Sequence, residues 1–146
     1  MGKTLQSITI DVPADQVWAS IRNFHDMSWA PNVVEKLEVV GDKRGDEPGA
    51  KRVLNDAFRE TLLEVDAGDM TFRYSIDDGP SPVSASEIDN YVGQVQVKAE
   101  GDGSLVEWQS TWERNDEATY DFCHPLYVAL LEDMKKSLEK WALVIE

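Results

Sequence analysis

The end of the chain constrains the fold more than any other stretch. From Pro125 to Ile145 the apolar residues Tyr127, Leu130, Leu131, Met134, Leu138, Trp141, Ala142 and Ile145 step by threes and fours, which sets them on one stripe of a helix. The opposite face reads Glu132, Asp133, Lys135, Lys136, Glu139 and Lys140. Glu132 and Lys136 stand four apart in the favourable order, worth only about 0.2–0.5 kcal/mol when exposed, so burial of the stripe must stabilise the helix. Pro125 suits a first helical position, where its missing N–H costs nothing. A helix of about 20 residues would run about 30 Å, long enough to cross a sheet.

Upstream the chain reads mostly as strands. Thr4 to Asp11 alternates, with Ile8 and Ile10 on one side, and Pro13 ends it. Val17, Ile21 and Phe24 then share a helical face, with Asp15 in the first turn where the helix dipole favours a negative charge. His25 to Asn32, containing Trp29 and Pro31, reads as a second helical turn followed by an extended entry. Three hairpins follow. Val33–Val40 and Ala50–Leu54 flank a polar turn; Phe58–Val65 and Met70–Ile76 flank Asp66-Ala67-Gly68-Asp69; Tyr91–Glu100 and Ser104–Arg114 flank Gly101-Asp102-Gly103. Asp77 to Asp89, with Gly79, Pro80 and Pro82, is the one long irregular stretch and a candidate lid. The pattern predicts an α+β fold in which a seven-stranded curved antiparallel sheet wraps a long C-terminal helix, with two short helices between the first two strands. At 146 residues we expect a single domain over 1–146.

Charge narrows the partners. Twenty-eight acidic residues against 14 basic ones give a net charge of −14. Such a field repels phosphate backbones and anionic lipid surfaces, so nucleic acid and membrane insertion are not expected. Cys123 is the only cysteine, which rules out an internal disulfide and fits a reducing compartment. Met1 to Ile10 has no long apolar run, so no signal peptide or spanning helix is expected, and the cytoplasm is the default location. The oligomeric state stays open, a dimer included.

Strand parity gives the candidate interior. Val106, Trp108, Ser110 and Trp112 share one face, as do Tyr91, Gly93, Val95 and Val97 in the strand before. Met70, Phe72, Tyr74 and Ile76 join them. Glu60 shares parity with Phe58 and Leu62, which would turn it inward, whereas Leu63 and Val65 argue for the opposite facing. Polar tips on an otherwise apolar concave face suit a small-molecule site, and they equally suit a solid core whose tyrosine hydroxyls find backbone partners.

Pro13 with Val17-Trp18, Phe24, Trp29-x-Pro31, Gly49-Ala50-x-Arg52, Glu60-x-Leu62, Tyr74, Pro82-Val83, Asn90-Tyr91 and Trp108 stand in an order that resembles a known family. It is the polyketide cyclase/dehydrase-like branch of the START and birch-pollen-allergen (SRPBCC) superfamily, which has the helix-grip fold. The likeness spans about residues 4 to 143. It implies a cavity between sheet and terminal helix that receives a small hydrophobic molecule, aromatic, polyketide-like or lipid-like, with no cofactor or metal. By position Glu60, Tyr74 and Tyr91 carry over as pocket-lining residues. Trp108 and Trp112 on the sheet and Tyr127, Leu131 and Met134 on the helix would complete the lining.

An enzyme of this kind needs an acid or base in the cavity, and Glu60 is the candidate catalytic residue, because an apolar pocket raises a carboxyl pKa toward useful values. The competing reading is a structural Glu60 paired with Arg52 or another cation. Cys123-His124 places a thiol beside a base, but adjacent residues rarely face each other and no orienting group or oxyanion donor is evident. His25-Asp26, without a Cys/His cluster, makes no metal motif. Three functions therefore stand: a carrier or binding protein for a small hydrophobic molecule, which we favour; a cyclase or dehydratase, acting as a lyase or isomerase without metal; and a ligand-free interaction or assembly module.

Overall fold

The computed structural model describes residues 1–145, with side chains to Ala142. The elements run β1 (Gly2–Ile10), α1 (Ala14–Ile21), β2 (Leu37–Val40), β3 (Lys51–Leu54), β4 (Phe58–Asp66), β5 (Thr71–Asp78), β6 (Asp89–Glu100), β7 (Gly103–Glu113) and α2 (Asp116–Ile145). The seven strands form one antiparallel sheet in the order β1-β7-β6-β5-β4-β3-β2. The first strand thus lies beside the last, from Gly2 opposite Trp112 to Ile10 opposite Ser104. The sheet curves around α2, which is the expected helix-grip architecture. Among the described residues no helix is long and apolar enough to cross a membrane.

Three expectations need correction. First, α2 starts at Asp116, nine residues before Pro125, which sits inside the helix. Thr119, Cys123 and Tyr127 are buried at four-residue spacing, so the apolar stripe extends upstream and offsets the one hydrogen bond the proline removes. Second, only one short helix separates β1 from β2. Residues 22–36 form successive turns, because Asn23 Oδ1 accepts from the His25 amide and Asp26 Oδ1 from the Ser28 amide, a side-chain alternative to helical bonding. Phe24, Met27, Trp29 and Ala30 are nevertheless buried there. Third, Trp141 is 38% exposed rather than part of the buried stripe, in which Leu138 is buried and Ala142 half-buried. The stripe's Ile145 lies outside the described side chains.

A bulge resolves the conflicting parity of β4. Leu62 pairs with Tyr74, but the next pair is Glu64 with Arg73, so Leu63 has no partner and points outward. Phe58, Glu60 and Leu62 face inward before the bulge, and Val65, opposite buried Phe72, faces inward after it.

The long helix is pinned at several heights. Asn32 donates to the buried Asp133 carboxylate from both its amide and its side chain, each at 2.8 Å, tying the turn segment to α2. Lower down, Lys135 Nζ donates to the Thr9 carbonyl and Glu139 accepts from the Asp11 amide, fastening the helix to the end of β1. Burial of Leu130, Leu131, Met134 and Leu138 beside these polar clamps supplies the main stabilisation.

Candidate functional site

Tyr74 on β5 is the centre of the site, and its position depends on the strand beside it. Its cross-strand partner on β6 is Gly93, where an added Cβ would run into the Tyr74 ring. The missing side chain lets the ring lie across β6. The Tyr74 hydroxyl then accepts a hydrogen bond from Trp108 Nε1 on β7 at 3.0 Å and meets the Tyr127 hydroxyl on α2 at 2.8 Å. Tyr127 stacks on Trp108 with ring centroids 4.9 Å apart, and its hydroxyl also bonds that of Tyr91. Burial pushes the ionisation of all three tyrosines well upward, so each stays a protonated phenol.

Glu60 enters from the other side. It is directly opposite Arg52 on β3, and both are almost fully buried, at 6% and 4% exposure. Arg52 Nε and Nη2 both reach Glu60 Oε1, at 2.8 and 2.7 Å, while Nη1 donates to the Phe24 carbonyl and the guanidinium lies 3.7 Å from the Phe24 ring centroid. All the bonds fall on Oε1. Among the described residues Glu60 Oε2 has no protein partner. Burial pushes the Glu60 carboxyl above the usual carboxylate range, against the pull of Arg52.

Between Glu60 and the tyrosines lies a cavity of about 50 Å³. Its walls are apolar, with Met27, Leu54, Ile76 and Leu130 among them, and the polar groups converge from Arg52, Glu60, Tyr74 and Tyr127. It has room for on the order of three waters, well short of the roughly 300–1,000 Å³ of a site for a drug-sized ligand. Its rim is formed by the half-buried Val33, Val34, Phe58 and Leu126 and the exposed Asn55. Asn55 shapes that rim: held at a φ of 54°, which asparagine tolerates, it accepts from the Glu35 and Lys36 amides and donates to the Val33 carbonyl.

Of the residues expected to line the pocket, Glu60, Tyr74, Trp108 and Tyr127 surround the cavity. Tyr91 stands one layer behind, joined to it through Tyr127 and stacked on Trp112 at 5.7 Å. Trp112, Leu131 and Met134 belong to the packed core beside it. Asn55 and the rim residues Val33, Val34 and Leu126 were not foreseen, although Leu126 and Leu130 stand four apart on the helix. Among the described residues, none of the candidate lid lines this cavity. Val83 and Ile88 anchor that segment by burial, and Val83 packs near Phe58 and Gly79.

The remaining sequence candidates lead elsewhere. Cys123 lines the cavity, but burial raises its thiol to about 11, which leaves almost no thiolate at neutral pH. His124 diverges from it, bonding Gln6 Oε1 through Nδ1 at 2.9 Å and stacking on Tyr120. His25 Nε2 lies 3.0 Å from the Lys51 carbonyl.

A sheet gripping one long helix, with a small polar-tipped cavity between them, defines a helix-grip protein. The chain belongs to the polyketide cyclase / dehydrase and lipid transport family, whose model matches residues 1–146. A structure of a protein from Nitrosospira multiformis shares 38% identity at a TM-score of 0.91, covering 93% of this chain and 95% of that one. The protein XoxI from Bacillus cereus is 25% identical at a TM-score of 0.78, with coverage of 94% and 96%. A solution structure from Thermobifida fusca, 21% identical at a TM-score of 0.80 over 96% and 95% of the two chains, shares the fold. No curated protein matches the chain.

Proposed function

We propose that this chain is a single-domain binding protein or carrier for a small hydrophobic molecule, held between the sheet and α2. The observation that carries this reading is the convergence of Glu60, Tyr74 and Tyr127 on one otherwise apolar cavity. A core built only for stability has no need to bury an ion pair and two linked phenols around a void, since a solid apolar filling is often as stable or more so. The cavity is small, so a ligand enters by displacing the rim at Val33, Val34, Phe58 and Leu126. Binding without nucleic acid or membrane insertion accords with the net charge of −14, and the cytoplasm is the compartment we propose.

N-phenyl-1-naphthylamine, a neutral fluorescent probe, should bind with roughly micromolar affinity, about −8 kcal/mol. Leu126→Trp, which enlarges a rim residue, should weaken it while leaving the unfolding transition intact. Absence of probe binding to the wild type, together with no apolar compound in an organic extract of the purified protein, would sink the reading and leave an assembly role.

A second reading, a cyclase or dehydratase using Glu60 as acid or base, is favoured by the one carboxylate oxygen that has no protein partner. Glu60→Gln separates the two: a carrier retains most of its affinity, whereas an enzyme binds and loses turnover of its extracted compound, often by about 10²-fold or more.

A further inference from the structure

We infer that a slot between β5 and β6 is a second small-molecule site, separate from the tyrosine cavity, and that it takes an aromatic amine as its cation. The slot exists because a ladder ends early. β5 and β6 pair from Thr71 opposite Gln96 to Ser75 opposite Val92, although β5 runs on through Asp78 and β6 begins at Asp89. Ile76-Asp77-Asp78 on one strand and Asp89-Asn90-Tyr91 on the other are left unpaired across the gap. Asn90 has a φ of 54°, and β6 shifts register against β7 between Asp89 and Val92, an irregularity that bends the strand where the ladder opens.

Between the parted strands lies a space of about 480 Å³, within the roughly 300–1,000 Å³ of sites for drug-sized ligands. Its apolar walls come from Leu63, Ile76, Val83, Ile88 and Val92. Leu63 is the unpaired bulge residue of β4, so the bulge supplies an exposed apolar side chain to the slot. Ile76 is the one residue that also lines the tyrosine cavity, and it stands as the wall between the two spaces. The segment carrying Val83 and Ile88 is cross-braced: Ser81 and Ser84 both donate to the Glu87 carboxylate, the Ala85 amide donates to Asp78, and Arg114 donates to the Ser86 carbonyl and to Asp89. The slot is therefore preformed, as small-molecule sites usually are.

The rim sets the charge of the occupant. Asp77 and Asp89 both border the slot, and Asp89 is already paired with Arg114. Asp77 accepts from hydroxyls instead, one oxygen from Thr61 Oγ1 and the other from Ser75 Oγ, with Lys51 held behind Thr61. The two hydroxyls fix the carboxylate and leave each oxygen a lone pair for a further donor. An ammonium group satisfies it, and the net charge of −14 draws a cation toward the slot and turns an anion away. An aromatic ring fills the space between the apolar walls.

The test compares 1-naphthylmethylamine, a cation at neutral pH, with 1-naphthylmethanol, its uncharged counterpart, by methyl NMR titration of the wild type. Both should shift the methyl resonances of Val83, Ile88 and Val92, and the amine should bind about three- to fivefold more tightly, the range of a solvent-exposed ion pair. That advantage should shrink near 1 M salt. Asp77→Asn should bring the amine down to the affinity of the alcohol, and if that variant fails to fold, the salt dependence of the wild type decides alone. Equal binding of amine and alcohol at low salt, shifts confined to Met27 and Leu130 of the tyrosine cavity, or no binding of either probe would each overturn the inference. The carrier reading is judged separately, by N-phenyl-1-naphthylamine and Leu126→Trp.

Discussion

Glu60 illustrates how one residue can be a structural element and a candidate site at once. Its Oε1 is committed to Arg52, and its Oε2 is uncommitted. The carboxyl titrates above its ordinary range because burial outweighs the ion pair. A group whose folded pKa is raised adds stability below its unfolded pKa and loses that contribution as pH rises through the folded value. Wild-type protein should therefore gain on Glu60→Gln as the pH falls from neutral into the ordinary carboxylate range, and denaturant melts at several pH values measure the difference. A gap that widened toward neutral pH would mean that Arg52 outweighs burial. The inward facing of Glu60 was undecided in the sequence because parity assumes an unbroken ladder. The bulge at Leu63 shifts the count by one within the strand, and nothing in Leu62-Leu63-Glu64 announces it.

At the level of elements, the sheet and the terminal helix were legible because period-two and period-3.6 patterns survive averaging over many residues. Three features set by single residues were less legible. Pro125 is favoured at a helix start, yet here the buried Thr119 and Cys123 carry the helix upstream of it. Asn55 holds the cavity rim from a turn position that resembles any other Asn-Asp pair. Gly93 reads as a weak point in a strand and is in fact the seat of the Tyr74 ring. Gly93→Ala should overpack that seat and cost about 1–3 kcal/mol, and the signature beyond stability would be changed fluorescence of Trp108 as Tyr74 is displaced. Along α2, Leu138→Ala should cost about 2–5 kcal/mol, whereas Lys136→Ala should shift the unfolding midpoint little. Equal, small effects from both would contradict the buried stripe.

For the whole molecule, the net charge of −14 acts on any ligand before contact. N-phenyl-1-naphthylamine and its sulfonate differ chiefly in charge, so the anion should associate more slowly at low ionic strength, and the gap should narrow near 1 M salt, where the Debye length falls to about 3 Å. Stopped-flow fluorescence measures both. Salt-independent association of the anion would mean that the rim is locally shielded from the overall field.

The pairing of the first strand with the last has a consequence for how the protein is made. During synthesis β1 leaves the ribosome well before its partner in the sheet, β7, which follows roughly a hundred residues later. At about 5–20 residues per second, that is a wait of about 5–20 s with Ile8 and Ile10 still unpaired. α2, which those residues pack toward, is translated later still. Sheet closure therefore waits until both β7 and α2 have emerged, and until then the apolar face of β1 stays open to whatever chaperone attends the ribosome exit.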